Sequence, residues 1–224
     1  PDGRYLITGG AFVQTWEIEA GKSVLTLSLM EKELGPKDAC FSPDGNFILT
    51  TFKTQAQSGL CIWNHTNGKL IRRINLFGEN SVGFGKSSRN SSIEKIGFSQ
   101  DGRTFYAISS DGSLSTWDFA TGRSLQVIEA HQDWVLSAEL THDSRYAATS
   151  GAGTDPPIRV WDLEKSRNIR TFSEHTSVIN SLLFIGNEKF LAAAGHDKKI
   201  RIWDISSGKL VQVLEGHTDL ISSL

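Results

Sequence analysis

The feature of this chain that most constrains its fold is a segment that recurs five times and ends on a tryptophan. In residues 190–204, FLAAAGHDKKIRIWD, an apolar run is followed by a tight polar turn and then an alternating run ending on Trp-Asp. This pattern is typical of a β-hairpin. Trp-Asp or a close relative recurs at gaps of 47, 54, 44 and 42 residues, with the tryptophans at Trp16, Trp63, Trp117, Trp161 and Trp203. A repeat of this length predicts an array of similar units that stack on their neighbours.

Alignment of the units on their tryptophans shows four short strands per unit, which we denote a to d in chain order. Each strand is bounded by Gly, Pro, Asp, Asn or Ser, the residues that supply turn geometry. Strand b is a nearly continuous apolar run, which predicts burial on both faces. Residues 1–224 are therefore predicted to form one all-β domain, with units at 1–30, 31–76, 77–130, 131–174 and 175–216 and residues 217–224 as the start of another repeat or a closing strand.

Composition argues against several classes of partner. The formal charge is −2, with acids and bases mixed along the chain, so no field would attract nucleic acid or anionic lipid. No apolar run approaches the roughly 18 residues that span a bilayer. Cys40 and Cys61 do not form a ligand-like pair such as Cys-x-x-Cys, which argues against a disulfide framework or zinc site. We therefore expect a protein of a reducing compartment, in the cytoplasm, with the nucleus also compatible.

In combination these motifs resemble the WD-repeat β-propeller family, and the resemblance covers essentially the whole chain. A dipeptide of the Gly-His type precedes strand a and ends at His131, His175 and His217. An aspartate stands six residues before the tryptophan, at Asp111, Asp155 and Asp197. The resemblance implies a β-propeller of four-stranded antiparallel blades. It also implies that the histidine, a Ser or Thr of strand b, the aspartate and the tryptophan form a hydrogen-bonded tetrad.

The fourth and fifth units match this tetrad best. The fourth unit carries all four residue types, at His131, Thr149, Asp155 and Trp161. The fifth unit has His175, Asp197 and Trp203, but Ala193 stands where the hydroxyl is expected. Buried polar groups need hydrogen-bond partners, so the tetrad is expected to specify the blade rather than to carry chemistry.

The amino-terminal units depart further from the family pattern. The third unit keeps Asp111 and Trp117 but has Ala107 at the hydroxyl position and no histidine. Gly10 and Gln57 stand at the aspartate position of the first and second units. The match to the tetrad therefore weakens toward the amino end.

The strand count permits two architectures. The chain begins at strand b of one unit, and residues 220–224 form a lone strand a, so pairing the two would close a five-blade ring. His217 would then need an aspartate in the first unit, where Gly10 stands. We therefore favour an open part of a larger propeller, of seven or more blades.

Candidate partner-binding residues follow from the resemblance. In this family they lie three and five positions after the strand-a histidine and directly before the tetrad aspartate. The corresponding residues here are Trp134, Leu136, Val178, Asn180, Leu220, Ser222, Ser110, Thr154 and His196. Trp134 is the only tryptophan outside the repeat position, and large aromatic side chains anchor interfaces. The sequence leaves open whether Trp134 and Leu136 bind a partner or fill space between blades or in the channel; for His196 a plain turn residue is favoured.

The leading functional hypothesis is a non-catalytic scaffold that binds a protein or peptide on the top face, formed by the d-to-a and b-to-c loops. No cofactor, metal, nucleic acid, membrane or small-molecule substrate is expected. One alternative is an enzyme that uses the central channel, which should place a non-periodic cluster of inward carboxylates or histidines there. No such cluster is recognisable in the sequence. A second alternative is a regulatory or sensor propeller fused to a catalytic domain outside this segment.

Overall fold

Antiparallel β-strands make up all the regular secondary structure of the residues that the structure describes. The structure is a computed structural model that describes residues 3–27, 35–55, 57–77, 91–132, 134–152, 158–174 and 177–224. Within these ranges there is no helix, and hence none with the length and hydropathy to span a bilayer. The nineteen strands are β1 Tyr5–Thr8, β2 Val13–Glu17, β3 Lys22–Leu27, β4 Ala39–Phe41, β5 Phe47–Lys53, β6 Ser58–Asn64, β7 Leu70–Phe77, β8 Ile93–Phe98, β9 Thr104–Ser109, β10 Ser113–Asp118, β11 Ser124–Glu129, β12 Val135–Leu140, β13 Tyr146–Gly151, β14 Ile158–Asp162, β15 Arg167–Phe172, β16 Ile179–Ile185, β17 Phe190–Gly195, β18 Ile200–Asp204 and β19 Leu210–Leu214.

The strands form five separate sheets, one for each predicted unit. The first sheet has three strands, β1 to β3, and the other four have four strands each, in chain order. Every neighbouring pair is antiparallel. The prediction of four-stranded antiparallel propeller blades is therefore confirmed. The turn after the tryptophan strand closes on a left-handed glycine in four of the five blades, such as Gly122 at φ 70° and Gly208 at φ 71°, and on Ser166 at φ 49° in the fourth.

The hydrophobic core lies between blades rather than inside any one of them. One cluster joins Leu49 and Leu60 of the second blade to Ile96 and Trp117 of the third. Equivalent clusters lie at the other blade junctions. The innermost strands β4, β8, β12 and β16 also contact their counterparts in the next blade. Each blade therefore depends for its burial on the blade beside it, as in other repeat proteins.

Residues 220–224 pack on the fifth blade, without strand structure. The amide of Ile221 donates to the carbonyl of Gly195 at 3.0 Å, and Asn180 Nδ2 donates to the carbonyl of Ile221 at 3.0 Å. The amide of Leu224 donates to Ser181 Oγ at 3.0 Å. These residues do not form the fourth strand of the first sheet, so the closed five-blade alternative is not the observed arrangement.

A side-chain bridge between successive blades was not expected from the sequence. It starts from the residue nine positions after the tryptophan, on strand d, and ends on backbone carbonyls of the c-to-d turn in the next blade. The donors and acceptors are Arg72 to Phe119 and Ala120, Gln126 to Leu163, and Arg170 to Ile205 and Ser206. These bridges hold the outer parts of neighbouring blades in register.

Candidate functional site

The d-to-a loop and the b-to-c turn of a blade meet on one face of the protein, which we call the top face. A backbone hydrogen bond of the same length joins the two segments in three successive blades. The bonds, each 2.9 Å, run from Ser110 to Ser92, from Ala152 to Trp134 and from His196 to Val178. Candidates from separate parts of the sequence, such as Val178 and His196, are thereby neighbours.

Trp134 lies at the surface of this face. Its side chain is 59% exposed, although the next residue, Val135, is completely buried. Its carbonyl is fixed by the amide of Ala152. The backbone is thus anchored while the indole ring faces solvent.

A β-bulge in each of the inner strands β8, β12 and β16 places one further side chain on the top face. The pairing register shifts between Val135 and Ser137, which sets Leu136 outside the ladder. The same shift in β16 frees Asn180. Bulges re-aim side chains and are frequent next to functional sites. Leu136 and Asn180 are half-buried, and Asn180 uses its amide to bind the carbonyl of Ile221.

The bulge also identifies a position that sequence reasoning missed. In β8 the register shifts between Ile93 and Lys95, so Glu94 is the counterpart of Leu136 and Asn180. Glu94 forms an ion pair with Lys37, which bridges the second and third blades. The histidine-based spacing failed because the third unit has no histidine. Spacing from the tryptophan would have succeeded, since Glu94 and Asn180 both lie 23 residues before one.

The remaining candidates are spread over the same face. His196 is exposed, whereas Val178 and Ser110 are half-buried. Ser110 Oγ accepts a hydrogen bond from the amide of Ser92 at 3.0 Å. Thr154 lies outside the described residues.

The tetrad region of the fourth blade is centred on Thr149, which is fully buried. Its Oγ1 accepts the indole N–H of Trp161 at 2.9 Å and lies 2.9 Å from Nε2 of His131. A hydroxyl has one hydrogen to donate and two lone pairs to accept with, so Thr149 can bind both rings at once. Gly151 leaves the space for the imidazole, since a Cβ there would lie 2.3 Å from Nδ1 of His131. Asp155, the fourth member, lies outside the described residues.

The tryptophans of the first two blades make the same bond to a threonine, whereas that of the third blade has different surroundings. In the first and second blades Trp16 and Trp63 donate to Thr8 and Thr50, each at 2.9 Å. In the third blade Trp117 is fully buried and stacks on Phe105 at a centroid distance of 5.3 Å.

The two described tetrad aspartates occupy b-to-c turns. Asp111 accepts hydrogen bonds from the hydroxyl of Ser109 and the amide of Ser113, the latter at 3.0 Å. Asp197 forms an ion pair with Arg201, and the two side chains are only 13% and 12% exposed. His175, its predicted tetrad partner, lies outside the described residues. Both aspartates therefore organise the turn they belong to.

The inner strands carry an ionisable group that the sequence did not reveal. Glu139 of β12 lies near Lys95 of β8, and burial raises the pKa of Glu139 to about 7, against a smaller opposing effect of Lys95. Burial also raises the pKa of Asp38, although the amides of Ile96 and Ala39 bind its carboxylate. Neither Glu139 nor Asp38 was among the residues singled out from the sequence. The sequence signal that could have revealed this group is the presence of charged residues in otherwise apolar inner strands.

This group is not a metal site in the described residues, among which no set of three or more His, Cys, Asp or Glu side chains is suitably placed. Tyr106 lies within it, and burial raises the pKa of its phenol, with the charge of Glu139 adding to the effect. The phenol donates to the carbonyl of Ala138 at 3.2 Å. Tyr106 thereby ties the third blade to the inner strand of the fourth.

Comparison with known proteins is consistent with this arrangement. Residues 122–162 and 166–204 match the family model "WD domain, G-beta repeat". The chain is 26% identical to angio-associated migratory cell protein of Homo sapiens, over 80% of this chain and 41% of that protein. It is 24% identical to COMPASS component SWD3 of Saccharomyces cerevisiae, over 77% of this chain and 50% of that protein. Eukaryotic translation initiation factor 3 subunit I of Meyerozyma guilliermondii is 26% identical over 45% of this chain and 28% of that protein. The chain thus spans half or less of the length of these relatives.

Proposed function

Because the chain belongs to the WD-repeat family, we propose that it is a non-catalytic interaction scaffold that binds a protein or peptide on its top face. Two of its relatives are, by name, parts of larger assemblies: a component of COMPASS and a subunit of a translation initiation factor. A rigid array of blades that presents loops on one face suits this role.

The observation that carries the proposal is the exposure of Trp134. A tryptophan ring that is 59% exposed leaves a large apolar area in water, which binding to a partner would remove. Its backbone is held by Ala152, so little conformational freedom is lost on binding. Tryptophan is also the residue type most enriched at interface hot spots.

The other candidate residues of the top face favour a polypeptide as the partner. Leu136 and Val178 add apolar area, and Asn180 and His196 add polar groups, which is the mixed character of protein interfaces. The formal charge of −2 gives no field for nucleic acid. Neither Cys40 nor Cys61 is in a disulfide bond, which supports our proposal of a cytoplasmic location.

An enzyme that uses the channel is the second candidate, because Glu139 has a strongly raised pKa and lies near Lys95. Structural roles explain the group better. Asp38 binds the amides of Ala39 and Ile96 at 2.9 Å each, and Tyr106 binds the carbonyl of Ala138. The bond to Ile96 joins the inner parts of the second and third blades, and that of Tyr106 joins the third blade to the inner strand of the fourth. None of these bonds pairs a nucleophile with a base.

The test combines Trp134→Ala with Ile18→Ala, a control that removes a similarly exposed apolar side chain from the opposite end of the blades. Proteins captured from a cell extract by the wild-type chain are purified, and their affinities for the three forms are measured by calorimetry. We expect Trp134→Ala to weaken binding at least tenfold and Ile18→Ala to leave it unchanged. Equal affinities for all three forms, with unchanged melting temperatures, would contradict the proposal.

A further inference from the structure

The c-to-d turn contributes one side chain to the junction between blades, at the position two residues after the tryptophan. At two junctions this side chain is an aromatic ring held between two others. His65 lies 4.8 Å from the ring of Tyr5 and 5.0 Å from that of Phe41, between centroids. Phe119 lies 4.9 Å from Phe47 and 5.5 Å from Phe98. The middle ring fills the junction in both cases.

The junction between the fourth and fifth blades keeps the two outer rings but not the middle one. Tyr146 and Phe184 occupy the positions of Phe47 and Phe98, while Ile205 stands where Phe119 stands in the third blade. Tyr146, Phe184 and Ile205 line a cavity of about 450 Å³. This volume falls in the range of about 300–1,000 Å³ typical of ligand pockets.

The backbone around the cavity is held as it is at the filled junction. Arg170 donates to the carbonyls of Ile205 and Ser206, just as Arg72 donates to those of Phe119 and Ala120. The same bridge therefore spans both junctions, and at the junction between the fourth and fifth blades an isoleucine borders the cavity where the filled junction has its middle ring.

The lining of the cavity carries two cations, Arg170 and Lys189, and one acid, Glu188, and the charge of Lys189 also acts on nearby Asp204. Arg170 binds the carbonyls of Ile169, Ile205 and Ser206, which do not neutralise its charge. Lys189 is exposed at the rim. The one acid in the lining, Glu188, accepts the amide of His142. A negatively charged group on a ligand would meet complementary charge here.

We propose that this cavity binds an aromatic side chain of a partner peptide, with an acidic residue next to it. The ring takes the place between Tyr146 and Phe184 that Phe119 takes in the neighbouring junction. The cavity lies at the ends of the strands opposite to Trp134, so it is a second binding site and does not depend on the top face.

The junction between the third and fourth blades is an internal negative control. A cavity of about 500 Å³ lies there too, but it is lined by Thr104, Leu163, Asp143 and other residues without an aromatic ring. An aromatic side chain has no ring to pack against in that cavity. Probe binding is therefore expected only at the junction between the fourth and fifth blades.

The experiment titrates the full chain with N-acetyl-phenylalanyl-glutamyl amide and follows the backbone amide resonances by NMR. The matched probe has alanine in place of phenylalanine. We expect saturable shifts around Tyr146, Phe184 and Ile205 with a Kd of about 1–10 mM, and none with the alanine probe. Ile205→Phe supplies the missing ring from the chain itself, so it should weaken binding at least tenfold without lowering the melting temperature. Ile18→Phe places the same residue at the equivalent position of the first blade, away from the cavity, and should bind as wild type does.

Several results would overturn the proposal. These are no saturable shifts at the cavity in the wild type, equal binding of the alanine probe, and undiminished binding by folded Ile205→Phe. If Ile205→Phe does not fold, Tyr146→Leu removes one aromatic wall and should weaken binding at least fivefold; unchanged affinity in that variant also overturns the proposal. Trp134→Ala should bind the probe normally, which separates this site from the top face.

Discussion

The indole Nε1 of Trp203 donates a hydrogen bond to Oε2 of Glu174 over 3.2 Å. In the first, second and fourth blades the equivalent tryptophan donates to a threonine of strand b. Ala193 stands at that position in the fifth blade and has no hydroxyl. A glutamate from the loop between the fourth and fifth blades therefore supplies the acceptor.

The size of the cross-strand side chain on strand a explains why alanine is tolerated at the hydroxyl position. Residues at the hydroxyl position face a residue of strand a across the sheet. The cross-strand pairs are Thr50 with Ala39, Ala107 with Ile96, Thr149 with Ala138 and Ala193 with Leu182. A large aliphatic partner accompanies each alanine and a small partner accompanies each threonine. The interior volume is conserved while the hydroxyl is exchanged for apolar packing.

The first prediction concerns the acceptor of Trp203. Glu174→Ala should lower the free energy of unfolding by about 1 kcal/mol, because the indole loses a partner. Ala193→Ser in the same chain should restore most of the loss, since a small hydroxyl fits beside Leu182. Urea denaturation of both single variants and the double variant checks this. If the effects of the two substitutions on the free energy of unfolding were additive, the two positions would not be offering acceptors to the same indole N–H.

The second prediction concerns the shared hydroxyl of Thr149. Thr149→Val leaves the indole of Trp161 and the imidazole of His131 without their partner in a buried site, so we expect a loss of about 2–3 kcal/mol in unfolding free energy. Thr8→Val is the matched control, because Thr8 binds Trp16 in an exposed setting where water can replace it. The control should lose about 0.5 kcal/mol. Equal losses for both variants would contradict the account.

The third prediction concerns the bridge between blades. Arg72 binds two carbonyls of the third blade, so Arg72→Ala should cost about 1–3 kcal/mol of unfolding free energy. It should also speed amide hydrogen exchange near Phe119. Arg167→Ala removes an exposed arginine from another strand d and should change stability by less than about 0.5 kcal/mol. The same effect in both variants would show that the bridge adds nothing.

The fourth prediction concerns the pH dependence of stability. In the folded protein the pKa of Glu139 is about 7, against 4.5 for the free side chain. The folded state therefore binds more protons between these values, and the free energy of unfolding falls as the pH rises toward and through 7. Glu139→Gln should remove about 1–3 kcal/mol of this fall. The raised pKa of Asp38 leaves a smaller slope of the same sign. Urea denaturation at pH 5 and pH 8 measures the difference, and an unchanged slope would disprove the assignment to Glu139.

Features that repeat with the tryptophans were predictable from the sequence. The strand order and the antiparallel blades follow from turn residues and apolar runs that recur at each of Trp16, Trp63, Trp117, Trp161 and Trp203. Features at a periodic position that holds a different residue type from one unit to the next were not predictable. The bridge position holds Leu25, Arg72, Gln126 and Arg170, so no single residue type marks it.

Contacts between distant segments were also beyond the sequence. Glu174 replaces a hydroxyl only because the loop brings it to Trp203, and Asp38 meets Ile96 only because two inner strands lie side by side. The candidates of the top face were identified through the histidine spacing, which is why Glu94 was missed. The exposure of Trp134 had to be read from the structure, since the sequence allowed a buried or an exposed ring.

The most direct test of the proposed top-face function is photo-crosslinking from defined positions. Benzoylphenylalanine is placed in separate experiments at Trp134 on the top face, at Ile18 at the opposite ends of the blades and at Val211 on the outermost strand. The three side chains are similarly exposed, at 59%, 57% and 56%. We expect position 134 to crosslink in cells to a discrete partner protein. Positions 18 and 211 should give no adduct with that protein. No adduct at position 134, or the same adduct from all three positions, would contradict the proposed function.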